Sequence, residues 1–293
     1  MTLYAPEPSR SRYDVVIVGG GVNGAAAAWF LAPSEDLDGT VLVVERDPTY
    51  ERASTTLTNS CIRQQFSTEV NIRISQFAAA YIRSFREELG GDPEIPEIRL
   101  EEFGYLYLAG DREAANVLRH NHAIQVGCGV GARLVSPKVL AEVWPFISPD
   151  GIELASHNPR DEGWFDGQAM FDWWRRKARA RGVEFVADRV TALARMGRDV
   201  MAVQLASGAA VAPGWVVNAA GPRAAEVARM VRLPLPVEPR RRYSFLFEAE
   251  PLGGTLPLVI DPAGVHVRSD GGDGRRFLAG CPPAEDRAAA YDD

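Results

Sequence analysis

The first run of apolar positions is Tyr13-Asp14-Val15-Val16-Ile17-Val18, and three consecutive glycines stop it. Apolar runs of this kind are what strands buried on both faces look like. Val22 to Ala32 follows, rich in alanine and ended by Pro33, and predicts a compact helix. After polar turn material from Ser34 to Gly39, Thr40-Val41-Leu42-Val43-Val44-Glu45 predicts a second buried strand. Strand, turn, helix and strand within 13–45 imply a parallel pair with a right-handed crossover.

The pattern then loosens. Residues 46–65 are polar and irregular. A helix is predicted over 68–89, with Ile72, Ile74, Phe77, Ala78, Tyr81, Ile82 and Phe85 as a broad apolar stripe and Gly90-Gly91 at its end. Residues 98–108 alternate, predicting an antiparallel strand. Helices are predicted over 112–126, 137–144 and 168–181. The last points Met170, Phe171, Trp173 and Trp174 inward and Arg175, Arg176 and Arg179 outward. Residues 183–187 read as a strand, 190–205 as a hairpin or meander, and 214–220 as a third buried strand broken by Gly221-Pro222. From Tyr243 onward β signals dominate, at 243–247, 258–260, 265–268 and 277–279. The fold class expected is α/β with an α+β partner. A Rossmann-like, parallel-sheet domain at 12–90 and 160–226 is interleaved with a mainly antiparallel β-sheet substrate domain at 91–159 and 227–293.

One motif gives the first unit its chemistry. Gly19-x-Gly21-x-x-Gly24 lies between the predicted strand and helix. Gly19 permits the tight turn, Gly21 removes a side chain where a pyrophosphate approaches the backbone, and Gly24 lets helix and strand pack closely. The free N–H groups of the helix's first turn then face the phosphates. Glu45 closes the second strand, where a carboxylate accepts hydrogen bonds from ribose hydroxyls. That carboxylate would repel a 2′-phosphate, which disfavours NADP and leaves NAD and FAD open. Two features favour FAD. Ser54-Thr55-Thr56 is placed to meet a second phosphate and the ribitol, and Trp215 to Gly221 ends in small residues, as if its backbone passes a cofactor.

Composition narrows the alternatives. With 32 Lys plus Arg against 39 Asp plus Glu, the 293 residues carry a formal charge of −7. That argues against a nucleic-acid partner, which needs clustered bases. No apolar run approaches the roughly 20 residues of a membrane span. Three cysteines make no disulfide framework, and residues 1–14 show no export signal, so a cytoplasmic location is expected. His120 and His122 are two apart and suit a metal poorly, so no metal is expected. Arg240-Arg241-Arg242 reads as a solvated turn, Trp173-Trp174 as a core or domain contact, and Tyr243 and Phe245 as core or pocket lining.

Taken in order, Asp14 to Gly21, Val43 to Asp47, Ala53-Ser54-Thr55, Ile62 to Ser67, Gly104-Tyr105-Leu106, Val216 to Gly221 and Gly264 to Arg268 resemble the D-amino-acid-oxidase-like family of FAD-dependent oxidoreductases. Within it they are most similar to the FAD-dependent oxidoreductase domain-containing and sarcosine oxidase branch. The resemblance implies FAD as cofactor, bound through Gly19, Gly21, Gly24 and Glu45. Arg46 would lie near the adenine side, Ser54 and Thr55 at phosphate and ribitol, Val190 by its backbone at adenine, and Gly221 packed beside the cofactor. It implies oxidation of the C–N bond of an amino acid or a secondary or N-methyl amine, with oxygen or a carrier protein as electron acceptor. Arg63 falls where the family binds the substrate carboxylate; the residues alone leave open an arginine paired to a surface acid. His266 falls where sarcosine oxidases place a tyrosine over the flavin, and could orient the amine or shuttle a proton; an ordinary strand histidine is the other reading.

Three departures stand out. Ser60 replaces an arginine that the sarcosine branch carries beside the flavin, and Cys281 falls near a family histidine. Family members also run on past this chain, with late strands of the substrate domain and a glycine-rich segment that returns to the flavin. The chain therefore reads as an N-terminal portion. The alternative function is a non-catalytic, flavoprotein-like binding or assembly module; an NAD-linked dehydrogenase is disfavoured because no second nucleotide-binding half appears.

Overall fold

A computed structural model describes residues 3–34, 38–272 and 274–291; positions 35–37 of the turn expected at 34–39 lie outside the described residues. The chain divides into two units. The first comprises 1–58, 167–241 and 287–293, the second 59–166 and 242–286.

The first unit begins with β1 (Arg12–Val18), α1 (Val22–Phe30) and β2 (Val41–Glu45). The second unit takes β3 (Cys61–Ile62), α2 (Glu69–Arg83), α3 (Phe85–Glu88), β4 (Leu100–Glu101), β5 (Tyr105–Ala109) and α4 (Arg112–Gly127). It continues with β6 (Arg133–Val135), α5 (Pro137–Val143), β7 (Leu154–Asn158) and β8 (Gly163–Phe165). The chain returns to the first unit with α6 (Gly167–Ala180), β9 (Glu184–Ala187), β10 (Val190–Met196), β11 (Asp199–Leu205), β12 (Ala210–Asn218) and α7 (Ala224–Met230). β13 (Ser244–Glu248), β14 (Leu258–Ile260), β15 (His266–Ser269) and β16 (Arg276–Gly280) complete the second unit.

Among the described residues the first unit holds a six-stranded sheet in the order β10-β11-β12-β1-β2-β9. β12, β1, β2 and β9 run parallel, and β10 to β12 form an antiparallel meander. Alternation on β1 sends Val16 and Val18 into a core with Leu42, Val44, Val186, Leu193 and Val203. Ile17 points the other way, toward Gly24 of α1. Gly24, Ala25 and Ala28 are all buried, so α1 sits close to the sheet.

In the second unit a seven-stranded sheet has the order β13-β16-β15-β14-β5-β7-β6, antiparallel except for β14 with β5. A smaller sheet, β3-β8-β4, sets 163–165 between 61–62 and 100–101. The main core gathers Leu106, Leu140, Trp144, Ala155, Val259 and Phe277.

Several expectations are corrected here. The chain leaves the first unit after residue 58 rather than after 90, and residues 160–166 lie in the second unit. The reason is α2, whose Ile72 packs on Cys128, Val130 and Ala132 of the second unit. α2 also breaks at Ser84, and Ile74 and Phe77 are exposed, so the buried stripe is narrower than the periodicity implied. Residues 227–241 and 287–293 join the first unit, carried there in part by Val227 in its core. β12 is not buried on both faces: Trp215 is 77% exposed. Tyr243 and Phe245 are exposed rather than core; Tyr243 precedes β13, and Phe245 lies on it, the outermost strand of its sheet.

Candidate functional site

The glycine elbow is built from backbone. Gly19 holds a φ of +97° and its N–H donates to the Val44 carbonyl at 2.9 Å, tying the turn to β2. A Cβ on Gly24 would fall inside the contact radius of the Gly19 carbonyl oxygen, so only glycine allows the helix to start this close to the strand end. Gly21 is the N-cap of α1 and offers no capping side chain. A Cβ there would meet a single atom, the Thr55 hydroxyl oxygen at 3.0 Å. Apart from that hydroxyl, nothing lies within 4 Å of the added Cβ, so the approach over Gly21 is lined by backbone and one hydroxyl.

Two side chains face that elbow. The Thr55 hydroxyl accepts from the Val22 N–H at 2.9 Å, which leaves its own proton for an oxygen acceptor. Glu45 is buried; one carboxylate oxygen accepts from Gly20 N–H at 2.7 Å and the other from Asp47 N–H at 2.8 Å. A carboxylate has about four lone-pair sites, so two remain for sugar hydroxyls. Bare backbone, helix N-terminus, hydroxyl and carboxylate fit a dinucleotide. Arg46 and Ser54 are exposed, Val190 is buried on β10, and Gly221 is exposed with φ +54°. The structure thus gathers Gly19, Gly21, Gly24, Glu45 and Thr55 at one elbow of the first unit.

Arg63 and His266 belong to the second unit. Arg63 is half buried, its guanidinium 4.7 Å over the Phe66 ring and facing the Tyr105 and Tyr107 phenols electrostatically. No carboxylate lies within ion-pair distance of it among the described residues, and its Nε is buried without a partner. Burial raises both phenols, Tyr107 to about 12, so they stay protonated. His266 lies on β15 with its ring against Gly280 of β16, and burial lowers its pKa, keeping the imidazole neutral.

The structure adds a residue that sequence reasoning missed. Glu162 is fully buried, and its carboxylate accepts from Gln64 N–H at 2.7 Å, Gln65 N–H at 2.9 Å and Gln65 Nε2 at 3.0 Å. Gln65 also donates to the Tyr105 carbonyl at 3.0 Å and accepts from Ser156 at 2.8 Å. Ser75 donates a short bond to the Arg63 carbonyl. The peptide group that follows Arg63 is thus held at both its carbonyl and its N–H. A buried acid beside Gly163 was the one available signal, and nothing local marked its partners. A polar cavity of about 410 Å³ in this unit is lined by Gln64, Arg83 and Asn158, but Arg83 already pairs with Glu102 at 3.1 Å and Asp161 at 2.5 Å.

A parallel sheet whose first strand ends in a bare glycine elbow under a helix defines a dinucleotide-binding protein. The chain belongs to the DAO family of FAD dependent oxidoreductases, whose family model matches residues 14–292. It is similar to FAD-dependent oxidoreductase domain-containing protein 1 of Xenopus laevis, 36% identical over 309 residues that cover 94% of this chain and 61% of that protein. It also resembles sarcosine oxidase subunit beta of Arthrobacter sp., at 28% identity over 89% of this chain and 63% of the relative. The chain thus spans about three-fifths of the length of these curated relatives. Among solved structures, L-proline dehydrogenase from P. horikoshii shares the fold, with a TM-score of 0.76 at 23% identity over 98% of this chain and 74% of that one. Among the described residues, no helix is long and apolar enough to cross a membrane and no cluster of potential metal ligands occurs.

Proposed function

We propose that this chain takes part in oxidising the C–N bond of an amino acid or a secondary or N-methyl amine. The observation that carries the proposal is Arg63, a half-buried guanidinium without an acid partner among the described residues, lying over the Phe66 ring and within electrostatic reach of the Tyr105 and Tyr107 phenols. A planar fork of donors in that setting suits a substrate carboxylate, bound through two parallel hydrogen bonds. The names of two similar proteins support the same chemistry, since sarcosine and proline are both carboxylates with a secondary amine.

Gly19, Gly21, Gly24, Glu45 and Thr55 would hold the cofactor's diphosphate and ribose. Arg46, Ser54, Val190 and Gly221 are proposed as its further contacts. FAD, when bound, supplies the acceptor for the hydride equivalent that leaves the carbon beside nitrogen. The protein's own tasks are to bind, orient and deprotonate. Arg63 fixes the carboxylate, and the phenols of Tyr105 and Tyr107 wall the carbon skeleton. His266, neutral through burial, takes the proton that the substrate nitrogen gives up. Oxygen or a carrier protein would accept the electrons, and three free cysteines fit a cytoplasmic setting.

The test is optical. The chain loaded with FAD should bleach anaerobically when sarcosine or proline is added. A stable flavin spectrum that no amine in a broad panel bleaches would sink the proposal and favour a non-catalytic flavoprotein module.

A further inference from the structure

Gly20 fills the variable position of Gly19-x-Gly21, where the motif itself demands no glycine. Yet a Cβ built there would lie 2.6 Å from the Tyr50 hydroxyl. The hydroxyl occupies that space because it donates to the Gly20 carbonyl at 2.9 Å. On the other side of the same residue, Gly20 N–H donates to Glu45 at 2.7 Å. Both peptide groups flanking the Gly20 Cα are therefore pinned by buried side chains.

The proton count gives these bonds a direction. A phenol has one proton. Tyr50 directs its proton to Gly20, so in the short contact between the Tyr4 and Tyr50 hydroxyls Tyr4 is the donor. Arg175 carries donors only, so in its hydrogen bond with Tyr4 the phenol oxygen accepts. The bonds run one way, from Arg175 to Tyr4 to Tyr50 to Gly20, and such chains strengthen each link.

Each member is held in place. Arg175 pairs with Asp172 and lies 4.1 Å over the Phe171 ring and 5.0 Å over the Tyr50 ring. Tyr50 meets Phe171 edge-on with ring centres 5.0 Å apart. Tyr4 arrives because Ala5 extends the sheet beside β9, donating to Phe185 O at 2.8 Å and accepting from Ala187 N at 3.0 Å. Burial raises both phenols, so both remain donors.

We infer that Tyr50, backed by Tyr4 from the N-terminal segment, is a positioning residue that presets the elbow backbone for the dinucleotide. The inference rests on the reading that this elbow seats FAD. Its benefit is preorganisation: a loop already held need not be ordered when the ligand binds.

Tyr50→Phe keeps every ring contact and removes only the hydroxyl. FAD titration, read by flavin fluorescence, should show Kd rising about tenfold, the worth of one buried hydrogen bond. Tyr4→Phe should weaken binding less, and the double variant should be no weaker than Tyr50→Phe, because the two act in series. In the FAD-free chain, amide exchange at 19–22 should quicken in Tyr50→Phe, which a role confined to general stability would not single out. Two results would overturn the inference: a Tyr50→Phe chain that binds FAD as tightly as the unaltered chain, or additive losses in the double variant. An unaltered chain that takes up no FAD overturns the elbow reading as well, an outcome distinct from equal uptake by both chains.

Discussion

Glu162 and Gln65 are joined twice, through the Gln65 backbone N–H at 2.9 Å and its side-chain amide at 3.0 Å. The pair lies in the interior, and Gln65 links onward to the Tyr105 carbonyl and Ser156. A buried carboxylate with this many donors is a joint of the second unit, and it fixes the backbone next to Arg63.

That joint has a pH signature. Burial, the largest influence, raises Glu162 from its ordinary 4.5 to about 7, with the hydrogen bonds from Gln65, Asn158 and Gln64 opposing it. The unfolded chain loses this proton near 4.5 and the folded chain near 7. Between those values the folded state binds more protons, so this group's contribution makes stability fall as pH rises from about 4.5 to about 7. Thermal melts across that window should show the decline in the unaltered chain and a flatter profile in Glu162→Gln. The variant should also cost about 1–3 kcal/mol, because its new amide donor faces donors. An identical slope in both chains would contradict the assignment.

The two inner glycines of the elbow should differ in kind. Gly24→Ala forces a methyl against the Gly19 carbonyl, which backbone cannot yield, so loss of folding by circular dichroism is expected. Gly21→Ala meets only the Thr55 hydroxyl at 3.0 Å. It should fold and lose FAD affinity by at least tenfold, measured by fluorescence titration, since its methyl stands where the backbone approaches the diphosphate.

Arg63→Gln should leave FAD uptake intact and raise KM for sarcosine or proline. The expected factor is about 10–150, the worth of hydrogen bonds to a charged group. Steady-state kinetics decide it, and an unchanged KM would remove Arg63 from the substrate site.

Leu246 is 68% exposed on β13, the outermost strand of its sheet, with Phe245 and Phe247 exposed beside it. Leu246→Lys should change the melting temperature little and reduce concentration-dependent association, as charge on an edge strand does. Light scattering against concentration measures it.

Local order in the chain was readable. The strand, glycine elbow, helix and second strand of 13–45 appear where the apolar pattern places them, because each depends on neighbours a few residues away. The meander at 190–205 was readable for the same reason. β7 and β8 were not, since Leu154-Ala155-Ser156-His157-Asn158 and Gly163-Trp164-Phe165 carry no alternation that marks a strand. Trp215 shows the limit from another side: an apolar run reveals a strand and does not reveal what covers it.

By itself the sequence determined the bare elbow, the acid that closes β2 and the interleaving of parallel and antiparallel β structure, since periodicity and glycine sterics act within short segments. Only the tertiary structure decided that Gly20 makes room for Tyr50, that Arg63 has no acid partner among the described residues, and that Glu162 holds Gln65 across 97 positions of chain. Those relationships depend on which distant side chains share one interior, and burial makes their hydrogen bonds and charges count.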